Sequence, residues 1–408
     1  MFSRPYFIQK HILTFLSISL FFVAQTSLFA QDSIPLAKRK DFQDLAREIL
    51  GKDPFTQSQQ DKRDTAKFYF SIIPSFATSG SDKAFVTSFM GAFYLGSSKT
   101  TTLSTVYFTP YFTFSEQYVL PMRSYIWTKN NRFNFIGDYR FMKYPQVQYN
   151  MYKPKENKEE SRLFYYQTRF YQTFSKSVKP WMAIGAGVQY DYYAAIKEDQ
   201  IYIDRPTAYQ KYGDTLNESF ISCGPTLELI LDTRGNTINP QKGTYLRFSL
   251  RNNLKSLGSD RNWTSVYIDA RKYLPLNYRK NQVIALWAWY WSVVNGNPNY
   301  LDLPSNGWDN YGRTARGVYR NRYRSTGLAY TEIEYRTNLT ANGLWGGVAF
   351  MNLTSPAVLF TQEYQFPTFS TGLGLRLKLD KRTGIKCGLD VGLSRGYWTY
   401  YLTLNECF

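Results

Sequence analysis

From residue 67 onward the chain alternates apolar and polar positions in repeated short runs. Residues 369–380 show the pattern plainly. Leu373, Leu375, Leu377 and Leu379 fall on one face, and Gly374, Arg376 and Lys378 on the other. Residues 383–394 repeat it, with Ile385, Leu389, Val391 and Leu393 opposing Lys386, Gly388, Asp390 and Gly392. A period of two is a strand with unlike faces, and runs of roughly 9 to 14 residues suit tilted strands that cross a bilayer. Sixteen such runs can be marked: 67–77, 83–95, 100–114, 117–128, 131–143, 162–175, 181–195, 218–232, 243–254, 261–274, 281–294, 325–338, 343–354, 369–380, 383–394 and 397–408. Hydrocarbon offers no water to an open sheet edge, so spanning strands must close on themselves. The pattern therefore predicts an all-β chain, a transmembrane antiparallel β-barrel of sixteen strands. Lys129-Asn130-Asn131 and Asp380-Lys381-Arg382 read as tight turns, and 144–161 and 295–324 as long loops. Short periplasmic turns and longer outer loops are the usual asymmetry of such barrels.

The region before residue 67 reads differently. Arg4, Lys10 and His11 precede an apolar run over 12–24, too short to span as a helix, and small residues lead to Ala30 and Gln31. Residues 1–30 are thus predicted to be a cleaved signal peptide. Residues 31–66 form a periplasmic leader, in which Phe42, Leu45, Ala46, Ile49 and Leu50 recur at helical spacing behind a candidate N-cap, Asp41. One amphipathic helix is predicted there, ended by Gly51 and Pro54. The barrel occupies 67–408.

Composition supports this picture. Aromatic residues make up 18% of the chain, yet mean hydropathy is only −0.41, so large rings must be interleaved with polar side chains. A soluble sandwich or propeller is the competing all-β class, and the export signal weighs against it. The single histidine, His11, lies in the removed segment. Without an imidazole the mature chain has no Ser-His, Cys-His or His-ligated metal chemistry. No enzyme activity, catalytic residue, metal or cofactor is predicted. Cys223 and Cys387 are expected on the lipid face and Cys407 in the lumen, a poor arrangement for disulfides. Of the net charge of +18, all but two units lie beyond residue 65. Such bases attract anionic headgroups or solutes, or pair with lumenal acids.

Four segments carry chemistry. In 231–243, Asp232 and Arg234 are placed to pair, while Pro240 and Gly243 stiffen a turn. The long loop before the twelfth strand holds Arg316-Gly317-Val318-Tyr319. The twelfth strand carries Glu332-Ile333-Glu334-Tyr335-Arg336, and the next carries Phe350-Met351-Asn352. The last strand sets Trp398, Tyr400, Leu402, Leu404 and Phe408 on one face, with Glu406 near the rim.

These segments resemble the BamA/TamA family of outer-membrane assembly factors, the bacterial surface antigen proteins, over residues 67–408. The resemblance implies that the Arg316-Gly317 tip folds into the lumen and that Glu334 receives Arg316, with Tyr319, Phe350 and Asn352 beside this latch. Val318 intrudes between the glycine and the aromatic, and Asn352 stands where the family has an acid. The resemblance also implies that Phe408 ends a C-terminal insertion signal. Repeated periplasmic POTRA domains are missing, so the chain resembles a short form. The implied role is insertion, translocation or biogenesis of outer-membrane proteins; the alternative is a passive channel or structural barrel. Expected surroundings are outer-membrane lipid including lipopolysaccharide, with other outer-membrane proteins or periplasmic factors as partners and no nucleic acid.

Overall fold

A computed structural model describes residues 38–53, 55, 68–79, 82–113, 117–149, 159–200, 206–214, 216–277, 282–309, 312–359 and 363–408. The signal peptide expected over 1–30, with His11 and the Ala30–Gln31 junction, lies outside the described residues, as do 31–37 and Pro54 of the leader.

Consecutive strands pair antiparallel around one sheet. They are β1 (Phe68–Ser79), β2 (Asp82–Phe93), β3 (Ser104–Phe108 with Tyr111–Thr113), β4 (Tyr118–Trp127), β5 (Phe133–Tyr149), β6 (Glu159–Lys179), β7 (Met182–Gln200) and β8 (Phe220–Asp232). The second half comprises β9 (Gly243–Asn253), β10 (Trp263–Asn277), β11 (Gln282–Gly296), β12 (Gly327–Asn338), β13 (Trp345–Pro356), β14 (Thr368–Lys378), β15 (Lys386–Ser394) and β16 (Tyr397–Leu404). Pro110 interrupts β3 because proline has no N–H for the ladder. Both pieces still pair with β2 on one side and β4 on the other, so they form one stave. The barrel thus has sixteen staves, and β16 returns to lie beside β1.

Alternation decides what each stave buries. Along β8, Ser222, Thr226 and Glu228 point inward and are buried, while Leu227 faces out. Met351 and Leu353 of β13, Leu373 and Leu375 of β14, and Leu389, Val391 and Leu393 of β15 continue the outer apolar band. Ile385 departs from the expected alternation. It precedes β15 and is buried against Met90, Ala92 and Ile238. All three cysteines are free, with Cys407 buried. No described helix is long and apolar enough to cross a membrane.

The segment 144–161 is not the long loop that its polarity predicts. β5, β6 and β7 run 17, 21 and 19 residues and carry the sheet well past the span of a bilayer. Beyond lipid a strand needs no apolar outer face, which is why the pattern there was unreadable as strand.

The end away from the termini is capped from within. Tyr300, Leu301 and Leu303 of the 297–326 loop, with Ala208 and Tyr209 of a short helix (Ala208–Tyr212), pack on inward-facing Leu163, Tyr165, Tyr193 and Ile196. Asp302 is buried with them, accepting a hydrogen bond from Ser222 Oγ. Burial first, and the neighbouring Asp191 second, push its carboxyl up to about 6. The neutral form therefore favours the docked cap. This contribution is full below pH 4, falls as pH rises to about 6, and is flat above. Asp302→Asn should remove that dependence and strengthen the cap at pH 7 by on the order of 2–3 kcal/mol. Hydrogen-exchange protection factors of residues 299–303, referenced to the intrinsic rate at each pH across pH 4–7, check it; protection that still falls between pH 4 and 6 in the variant contradicts the assignment.

At the terminus end, the leader helix α1 (Phe42–Ile49) is closed by a capping box in which Asp41 and Asp44 exchange backbone contacts. The same two acids dock it. Lys381 N donates to Asp41 Oδ2 at 3.2 Å and Lys381 Nζ to Asp44 Oδ2 at 2.9 Å. Polar contacts, not the apolar stripe, hold the helix to the rim, and Ile49 remains 75% exposed.

Candidate functional site: a buried charge cluster holding the inward loop

The loop 297–326 turns into the lumen, where its tip meets the inward faces of β12 to β16. Period two puts Tyr330, Glu332, Glu334 and Arg336 of β12 on one face, all buried. Register places Glu332 opposite Asn352 and Glu334 opposite Phe350 on β13. Arg376 of β14 and Asp390 of β15 complete the wall.

Arg316 enters this wall at 1% exposure. Its Nε donates to Glu332 Oε2 at 3.2 Å and its Nη1 to Asp390 Oδ2 at 2.8 Å. Nη2 reaches both Glu332 and Glu334. The guanidinium lies 3.8 Å from the Phe350 ring centroid, and Asn352 Nδ2 donates to the Arg316 carbonyl oxygen at 2.8 Å. Glu334, the acid to which the motif points, accepts from Arg316; the two-pronged contact belongs to Glu332. Both residues face inward, and the approach of the loop selects between them.

The network extends further than the motifs indicated. Arg376 bridges Asp390 and Glu406, with Nε 2.9 Å from Glu406 Oε2. Lys386 Nζ donates to Glu406 Oε1 at 2.6 Å. Arg336 donates to Glu334 Oε1 at 2.6 Å and to a main-chain oxygen of Phe408 at 2.8 Å. Four cations (Arg316, Arg336, Arg376, Lys386) thus face four carboxylates (Glu332, Glu334, Asp390, Glu406). Paired and bonded, such a cluster tolerates burial; with one member removed it does not. Burial opposes ionisation of Glu406, but Lys386, Arg376 and Arg336 hold its carboxyl well below the usual range. Among the described residues no group of His, Cys, Asp or Glu is arranged to hold a metal ion.

Glycines let the loop come this close. Gly317 has φ +93°, and a Cβ on Gly392 of β15 would lie 2.6 Å from Gly317 N. Val318, the residue that departs from the motif, is buried in an aromatic cluster with Trp287, Trp289, Tyr330 and Phe408. Tyr319 is only half-buried and contributes its carbonyl oxygen to Asn306 Nδ2 at 2.9 Å.

The last strand also differs from its predicted course. Trp398, Tyr400 and Leu402 face outward as expected. β16 ends at Leu404, Asn405 adopts φ +72°, and 405–408 fold back into the lumen. Leu404 packs towards Ile238 and Ile385. Phe408 is buried, its ring 5.0 Å from Trp287 and 6.3 Å from Tyr273. Phe408 therefore does not share the outward face, and Glu406 lies inside instead of at the rim. Arg313 ties this tail to the loop, donating to the carbonyl oxygens of Leu404, at 2.6 Å, and Glu406.

The turn between β8 and β9 stands apart from the cluster. Arg234 grips Asp232 through Nε and Nη2 at 2.9 and 2.7 Å and lies 4.2 Å from the Tyr245 ring centroid. Pro240 is buried, and Gly243 takes φ +104° where a Cβ would meet Thr233 O at 2.6 Å.

Comparison with known proteins agrees with this architecture. Residues 122–380 match the Omp85 superfamily domain. No curated protein matches the sequence. Among solved structures, the chain is similar to BamA from Haemophilus ducreyi lacking POTRA domains 1–3, with a TM-score of 0.54 at 10% identity, covering 83% of this chain and 69% of that one. It is likewise similar to CdiB from Acinetobacter baumannii, with a TM-score of 0.53 at 10% identity, covering 83% of this chain and 60% of that one. At such identity the likeness concerns the fold.

Proposed function

This chain belongs to the Omp85 superfamily, and on that premise we propose that it inserts or translocates proteins at the outer membrane, where it resides. The observation that carries the reading is the seam. β1 and β16 lie side by side, yet among the described residues no hydrogen-bonded register joins them, whereas every other neighbouring pair has one. β16 has eight residues against twelve in β1, so part of the β1 edge has no partner whatever the contact. Pro74 in β1 removes a further donor from that strand. An unpaired edge accepts an incoming strand by β-augmentation.

In this reading the Arg316 cluster is a latch that fixes the loop, and the loop and tail together hold the lumen side of the seam. Trp398, Tyr400 and Leu402 serve with Phe408 as the insertion signal, read before the tail turns inward. The passive-channel alternative is disfavoured by the lumen itself, which the 297–326 loop enters and where the aromatic cluster packs on the inner wall. No catalytic step is invoked. Partners are other outer-membrane proteins or periplasmic factors, with lipopolysaccharide and phospholipid as surroundings.

Depletion of the protein followed by quantitative outer-membrane proteomics tests the role. Loss of several other barrels from the membrane is expected, and an unchanged outer-membrane proteome would sink the assembly reading.

A further inference from the structure

The β8–β9 turn has no place in the charge cluster, yet its tip is buried. Eight staves separate it from the seam in either direction round the barrel, so turn and seam face each other across the lumen. Besides Pro240, residues 233–242 carry one apolar side chain, Ile238, and it is 6% exposed. Ile238 packs with Met90 and Ala92 of β2, Leu404 at the end of β16 and Ile385 just before β15, and Tyr69 of β1 and Tyr107 of β3 lie against the same cluster. β1 to β3 form one side of the seam, and β15 and β16 the other. A side chain from the far wall thus joins both sides in one apolar cluster.

The receiving surface differs from the wall elsewhere. Inward positions along β8 are polar, whereas β2 turns Met90 and Ala92 inward, both fully buried. An apolar patch in a polar lumen is stabilised by a partner that covers it. The turn is shaped to supply that partner. The grip of Arg234 on Asp232 and the positive φ of Gly243 fix its base. Asn236 Oδ1 accepts from Ile238 N and Asn239 N at 2.8 and 3.0 Å, which folds the tip. Asn236 Nδ2 then donates to the Thr383 carbonyl oxygen, on the β14–β15 turn, at 3.1 Å. At the same corner Asn405 Nδ2 donates to Tyr107 Oη at 3.0 Å, and the Arg382 guanidinium lies 4.6 Å from the Tyr69 ring centroid. Side chains bridge the seam here where, among the described residues, no backbone ladder does.

We propose that the 233–242 turn is a strap that holds the seam shut from inside the lumen, and that β1 and β16 part only when Ile238 leaves its cluster. The strap regulates the surface proposed above as the working one, and so rests on that reading. Apolar packing and a hydrogen bond at the tip can be released without unzipping a strand, whereas opening a ladder gives up several backbone bonds together. The Asp232–Arg234 pair is in this view a positioning device, since it touches nothing at the seam and sets where Ile238 lands.

The test is a pulsed electron-spin distance measurement on the full chain folded in detergent, with spin-labelled residues at Phe89 and Leu389. These face lipid on β2 and β15, which leaves both edge strands intact. The parent should give one narrow distance. Ile238→Ala should raise the share of a longer distance about tenfold or more. Asn236→Asp keeps the oxygens that fold the tip but loses the donor to Thr383, and should raise that share less. Ile196→Ala, an equal truncation in the buried cluster at the far end of the lumen, should match the parent. If Ile238→Ala does not fold, Asn236→Asp against the Ile196→Ala control carries the test. The proposal is overturned if the folded strap variants keep the parent's distance, or if Ile196→Ala widens the seam as much. No client is present in this measurement. A strap that sets seam width while β1 forms no client adducts in cells would uphold the proposal and sink the assembly role.

Discussion

Arg316→Ala is expected to free the 297–326 loop from the barrel wall and to destabilise the folded barrel by about 3–5 kcal/mol. The magnitude follows from what is left behind. Glu332, Glu334 and Asp390 are buried and converge on one guanidinium. Glu334 and Asp390 keep Arg336 and Arg376, but Glu332 loses its only cation among the described residues. Arg316→Lys should fall well short of restoring stability, since an ammonium cannot present three edges to three acids. The measurement is the temperature at which the folded band on a semi-native gel gives way to the unfolded one. A double-mutant cycle with Glu332→Gln should show strong coupling, larger than the cycle with Glu334→Gln. Equal and additive effects would mean that the loop is held elsewhere.

Phe408→Ala should have a comparable effect for a different reason. The ring fills a lumenal pocket between Trp287 and Tyr273, with the Arg336 guanidinium 5.2 Å from its centroid. Truncating a buried phenylalanine costs about 3–5 kcal/mol through lost burial and the cavity it leaves. Here the cavity also loosens the 405–408 tail, which Arg313 and Arg336 grip by main-chain oxygens and which Glu406 anchors by charge. Two readouts separate the lumenal role from a signalling role. Refolding into detergent in vitro reads packing alone, and the amount of folded protein in cells reads recognition as well. A variant that melts like the parent in vitro would contradict the lumenal placement.

The strands were legible because lipid on one side and a polar lumen on the other impose a period of two, as in Leu373 and Leu375 against Gly374 and Arg376. Where lipid ends, so does the signal, and β5 to β7 therefore overran their predicted limits. Pro110 broke β3 for a purely local reason that spacing alone passes over. Arg316 was legible as a motif together with Glu334, Phe350 and Asn352, but Asp390 was not. Asp390 lies 74 positions away and meets it only because the sheet curls round. One signal was available: Gly388, Asp390 and Gly392 alternate on an inward face, and small residues around a lone acid mark a wall that something presses against. Extending the period of β16 past Leu404 misplaces the tail. Asn405 ends that period, and a charge at Glu406 finds better partners inside than at the rim.

The account turns on the β1 edge being the working surface. Photo-crosslinking in cells addresses this directly, with a crosslinking residue placed in turn along β1 (Phe68, Phe70, Ile72) and, for comparison, along the mid-wall strand β8 (Leu227, Leu229). Adducts to newly made outer-membrane barrels from the β1 positions, and none from β8, are predicted. Absence of adducts from β1, or equal adducts from both strands, would contradict it.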